Sequence, residues 1–227
     1  MTILAAGRWA AGLSAVLAIA AMFLYPGGDA YHRETSRYSF FQNYLSDLGS
    51  RVAWGGRSNA IGSWLFAGCL VVAAIALCAC LVGVMQVHAR STAARLWAWA
   101  ACLAGALSCI SIVAVSLTPM DADLRLHELL SDGAIIPLPA VAALLGIASR
   151  RDPRFPRRSM LGWAALLIIL GLYVTVLYWH PEFGTVRGHT IQVTGQKLAV
   201  IAMLMIVPYQ SWQAEQAATR SLDSEIY

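Results

Sequence analysis

Six long apolar runs separated by short polar gaps constrain this chain more than any motif in it. They fall at about 9–26, 60–85, 95–118, 127–149, 160–179 and 189–212. A helix needs roughly 20 residues to cross the hydrocarbon core of a bilayer, and the runs are close to that length. Hydrophobic residues make up 59% of the 227 positions and charged ones 12%, too much apolar surface for one soluble core. Backbone polar groups in hydrocarbon must be paired internally, so each span is a helix or a strand of a closed barrel. Runs such as 98–115 and 161–176 lack the in–out alternation of barrel strands. The predicted fold is therefore all-α: a polytopic bundle of six transmembrane helices forming one domain over 1–212. The polar stretch 213–227 reads as a frayed cytoplasmic tail.

Arginine placement sets the predicted orientation. With the N-terminus inside, the inner segments hold nine basic residues and the outer ones seven. Five of the nine lie in the short gap SRRDPRFPRRS (149–159), where the positive-inside rule acts most strongly. Both termini are expected in the cytoplasm, with the protein in the cell membrane. Ala18-Ile19-Ala20 has the form of a signal-peptide cut site, but the apolar run continues past it to Pro26, which suits a retained span better. In this placement eight of the twelve acids and four of the five histidines (His32, His127, His180 and His189) lie outside. The five cysteines all fall in the second and third runs and read as small buried hydrophobes. The net charge of +4 comes without basic–aromatic interleaving, so no nucleic-acid partner is expected; nor is a soluble protein partner inferred.

Three outer segments carry the candidate chemistry. The first, 27–59, is rich in aromatic residues suited to the headgroup zone. A short interfacial helix is expected over about 38–48, ended by a left-handed cap at Gly49, with Asn43, Ser46 and Asp47 on one face. In the second, 116–134, Asp121 or Asp123 can cap the fourth span. His127 and Ser131 lie one turn apart there, and Pro137 and Pro139 predict a kink below them. In the third, 178–200, His189, Gln192 and Gln196 form a polar stripe that runs into the membrane, with Lys197 next in the chain. An ammonium there either snorkels to the surface or needs a carboxylate, which Asp47, Asp121 or Asp132 could supply.

These same stretches carry a resemblance. NYLSDLG (43–49), TPMD…H (118–127) and GQK (195–197) resemble the signature of a prokaryotic six-span family labelled domain of unknown function 998. That family is similar in plan to eukaryotic membrane proteins of GPI-lipid remodelling and autophagy modulation. The resemblance implies the six-span fold and points to these residues; it assigns no reaction.

The outer segments support three functional readings. In the first, Asn43, Ser46, Asp47, Asp121, His127, Ser131, Gln196 and Lys197 bind or sense a membrane lipid or small amphiphile without catalysis, beneath an aromatic loop. In the second, a divalent metal such as zinc, held by a set drawn from Asp47, Asp121, His127 and His189, activates water against a lipid in the outer leaflet, with Asp121, His127 and His189 as catalytic candidates. No HExxH, HxxxH or nucleophile elbow supports that reading. The third is a small-solute transporter, although the polar residues stop in the outer third of the spans. An ion pair between His127 and Asp121 would add a pH response.

Overall fold

The computed structural model describes residues 2–179, 182 and 184–226, with side chains as far as Arg220. His180, expected at the outer face, lies outside the described residues. The described chain is helical and has no strands; Val52 and Ser58 form one isolated bridge. The helices are α1 (Ile3–Leu24), α2 (Ala60–His88), α3 (Thr92–Ser116), α4 (Leu124–Ile135), α5 (Pro137–Arg151), α6 (Arg157–Trp179) and α7 (Val186–Ile226). With α4 and α5 taken as one span, six helices are long and apolar enough to cross a membrane. This is a multi-pass membrane architecture.

The fourth span divides because Pro137 and Pro139 bring no N–H to the helix ladder. Ile136 keeps helical dihedrals between the two halves, and its amide still reaches the Asp132 carbonyl. Asp123 is the cap: its carboxylate accepts from the Leu126 amide at 3.0 Å. The last helix runs well past the expected end of its span. Residues 213–226 continue it, and Ala214 and Ala217 are buried in the main core. The expected frayed tail is therefore largely helix, because its small apolar residues find packing partners.

Successive helices pack on one another, and α7 returns against α1 and α2 to close the bundle. The main core lies among α2, α3, α5, α6 and α7, around Leu77, Leu81, Leu145, Trp163 and Leu170. A second core, at the end carrying residues 25–59, seats that loop on α1 and α2 through Tyr25, Leu48, Phe66 and Cys69. We call this the loop end, and the opposite end, where both termini lie, the tail end.

The loop is compact but not helical over 38–48. Only Ser46–Gly49 forms a single 3-10 turn. The groups that a helix would consume are taken elsewhere. The Leu45 amide donates to Gln196 Oε1 at 2.8 Å, and the Asn43 carbonyl accepts from Lys197 and Tyr38. The Asn43 and Asp47 side chains bind nearby backbone amides, the competition that makes these residues poor in helices. Gly49 is not left-handed either; the turn exits through an extended Ser50, and Gly49 packs on the Phe66 ring. Left-handed positions in the loop include Gly27 and Gly28, at φ +110° and +84°, where any Cβ would meet the backbone of 35–37 and of 54–55. This pair of glycines lets the chain leave α1 and fold back under the loop.

Candidate functional site

The loop end holds two adjacent groups of polar side chains. The first is sealed. Asn43 has no exposed surface, and Asp47 and Lys197 are each 2% exposed. Asn43 Nδ2 donates to Asp47 Oδ2 and to the Gly28 carbonyl, both at 2.9 Å, while its Oδ1 accepts from the Ser39 amide. Asp47 Oδ2 also accepts from the Tyr44 amide at 3.0 Å. Burial pushes the Asp47 carboxyl above the usual carboxylate range. Asn43, the Trp54 indole, the Tyr44 amide and the charge of His189 offset part of that cost. Its Oδ1 nevertheless has no donor at hydrogen-bonding geometry.

Lys197 reaches into this group from α7. Its ammonium donates to the Asn43 carbonyl at 2.5 Å and lies 5.5 Å and 5.1 Å from the ring centres of Tyr38 and Phe40. It does not snorkel, and among the described residues no carboxylate lies within ion-pair distance of it. A carbonyl and two aromatic faces take the place of the expected partner. Further contacts fasten the loop to the same helix. Tyr44 donates to Gln192 at 2.6 Å, His189 Nε2 to the Gln42 carbonyl at 2.6 Å, and Gln42 to Thr190 at 3.1 Å. His189 also meets the Tyr31 and Tyr44 rings edge-on. Burial and the nearby Asp47 charge push the Tyr44 phenol up to about 12, so it remains a donor at any physiological pH.

The second group lies beyond Asp47, between the Ser46–Gly49 turn, α2 and the α3–α4 junction. Here His127 is 9% exposed. Its Nδ1 donates to the Thr118 carbonyl at 2.7 Å. Asp121 is exposed and turned away from it, with Oδ2 accepting from the Arg51 and Val52 amides at 2.9 and 3.1 Å. The expected His127–Asp121 pair is therefore absent, because each side chain is satisfied by backbone instead. Two small chambers adjoin here. The larger, about 50 Å³, is lined by Arg51, Ser63, Trp64 and Leu117 together with Gly49, Ala67, Ser116 and Pro119. The smaller, about 10 Å³, shares the last four and adds Ser46, Phe66, Leu70, Val115 and His127.

Of the candidate residues, Asn43, Asp47, Gln196 and Lys197 thus meet in the sealed clasp, while Ser46 and His127 face the chambers and Asp121 pins the loop at their rim. Ser131 is half-buried on α4 and joins neither group; Asp132 lies against Tyr178 of α6. Among the described residues, no three of the His, Cys, Asp and Glu side chains group closely enough to hold a metal ion. Asp47, Asp121, His127 and His189 do not converge on one point, so this donor set does not fit the zinc centre considered for it. Sequence reasoning missed Arg51, Trp64 and Ser116. Nothing in their local pattern separates them from ordinary interface residues.

A further buried cluster, which the sequence did not signal, closes the tail end. His88 Nδ1 donates to Asp152 Oδ2 at 3.0 Å, and the Ser149 hydroxyl lies 3.4 Å from His88 Nε2. Arg154 binds both Asp152 oxygens and the Val87 carbonyl, and Phe155 stacks on His88 with ring centres 4.1 Å apart. Burial opposes the Asp152 anion, but the His88 and Arg154 hydrogen bonds outweigh it and hold the carboxyl well below the usual range. Ser149, His88 and Asp152 are all buried, so this Ser–His–Asp chain joins α2, α5 and the 152–156 turn as a pin.

No curated protein and no solved structure matches the chain. A family model does, over residues 9–212, a match that spans all six apolar helices. The chain belongs to the family described as "Protein of unknown function (DUF998)".

Proposed function

We propose that this protein resides in the cell membrane with both termini in the cytoplasm, and that its loop end faces outward and binds or senses a membrane lipid without turnover. The arginine-rich turn at 150–158 supports the orientation. One observation carries the function. The paired chambers lie beside a sealed clasp and are flanked by Trp64 and Leu117, which are 72% and 70% exposed. A small concavity with a few convergent polar groups and an apolar rim can take one polar group of a ligand whose apolar part lies along the rim. Here the rim belongs to the hydrocarbon, so the ligand arrives from the bilayer. The clasp through Lys197, Asn43 and Gln196 holds the loop over the site as a fixed roof.

Native mass spectrometry of the purified protein tests this. A lipid adduct that survives mild delipidation and is re-acquired from mixed micelles is the expected result. Delipidated protein that takes up no lipid would overturn the proposal.

A further inference from the structure

We propose, resting on the lipid-binding reading above, that the chambers select a phospholipid whose headgroup carries N–H or O–H donors beyond the phosphate. The phosphodiester sits at Arg51 and the headgroup tip in the smaller chamber.

Arg51 supplies the anion site. Its backbone N–H is pinned by Asp121, but Arg51 is exposed, lines the larger chamber, and its guanidinium has no ion-pair or hydrogen-bond partner among the described residues. A guanidinium is the side chain best matched to phosphate, binding it in a planar fork. The exposed Trp64 and Leu117 line the same chamber, so acyl chains leave along them while the phosphate stays at the interface.

The smaller chamber discriminates between headgroup tips, and it offers acceptors. His127 donates through Nδ1 to a carbonyl, so in the uncharged ring the acceptor is Nε2, which has no protein partner among the described residues. Ser116 donates its own proton to the Val113 carbonyl at 2.7 Å and so presents oxygen lone pairs; Ser63, in the larger chamber, does the same toward Ala60 at 3.0 Å. A volume of about 10 Å³ admits one water-sized group. A glycerol hydroxyl or a primary ammonium fits and satisfies these acceptors. A trimethylammonium has no donor and is too large.

The test uses the full chain, delipidated and titrated in detergent by native mass spectrometry with phosphatidylglycerol, phosphatidylethanolamine, phosphatidylcholine, diacylglycerol and inorganic phosphate in turn. The two donor-bearing phospholipids should bind about tenfold or more tighter than phosphatidylcholine, the size of one charge-assisted or buried hydrogen bond. Arg51→Gln should reduce every phospholipid to the level of diacylglycerol. His127→Phe should erase the preference over phosphatidylcholine yet leave phosphate-dependent binding intact. Should that variant fold poorly, Ser116→Ala should show the same flattening in part. Equal binding of phosphatidylcholine and phosphatidylglycerol overturns the headgroup selection and leaves lipid binding standing. Diacylglycerol bound as tightly as the phospholipids removes the role of Arg51. Displacement of lipid by millimolar inorganic phosphate makes a free anion the ligand and overturns the lipid source. No uptake of any lipid overturns this inference together with the reading beneath it.

Discussion

Lys197 and Asp47 are both buried and are not in direct contact, and their opposite charges ease burial through space. Removing one leaves the other as a lone charge, which is the costly case. Lys197→Met and Asp47→Asn should therefore be non-additive. We expect a coupling energy of about 1 kcal/mol from a double-mutant cycle of thermal or denaturant unfolding, and additive single effects would show that the two groups act independently. Asp47 also predicts a pH dependence. Its folded-state carboxyl titrates above the unfolded one, so the folded protein binds a proton in a window where the unfolded chain does not. That contribution to stability is full below the ordinary carboxylate range, near pH 4, and fades as pH rises through the folded value. The melting temperature should rise on acidification from neutral pH. Asp47→Asn should flatten this slope, which a melting series from about pH 4 to 8 reads directly.

The loop over 25–59 is held by few regular hydrogen bonds and many side-chain ones, so its anchors matter individually. Leu48 is completely buried among Tyr25, Phe66 and Cys69. Leu48→Ala should cost about 3 kcal/mol, in the range of buried leucine truncations, and should expose the loop to limited proteolysis before the helices unfold. Unchanged protease resistance would show that the Lys197 clasp alone holds the loop. The same segment marks where the sequence was readable and where it was not. The six helices, the Asp123 cap and the break at Pro137 arise from local pattern: apolar length, an acceptor before a helix, and a missing N–H. The expected helix over 38–48 failed because Leu45 and Asn43 spend their backbone groups on Gln196 and Lys197, more than half the chain away in sequence. The stripe of His189, Gln192 and Gln196 was visible as a periodicity, but its acceptors and donors on the loop were not. His88 and Asp152 stood in polar gaps like any solvated residues; only packing against Phe155 and Arg154 reveals them as a pin.

Six spans and an arginine-rich turn on one side define a sidedness for the whole molecule, and labelling can read it. A single reporter at Ser36→Cys, on an exposed stretch of the loop, should react with a membrane-impermeant maleimide in intact cells. Arg220→Cys, exposed near the end of α7, should react only after permeabilisation. The native cysteines all lie within α2 and α3 and serve as the unlabelled background. The reverse pattern would invert the proposed topology and place the chambers in the inner leaflet.

The length of α7 has a mechanical meaning. At 41 residues it is about 60 Å long, roughly twice the thickness of the hydrocarbon layer. Near one end it grips the loop through His189, Gln192 and Lys197. Towards the other it holds α6 through Gln210 and Ser159, and α1 through Glu215 and Arg8. A single shaft fastened at both ends ties the position of the loop to that of the tail end, with Pro208, which brings no N–H to the helix ladder, between the two sets of contacts.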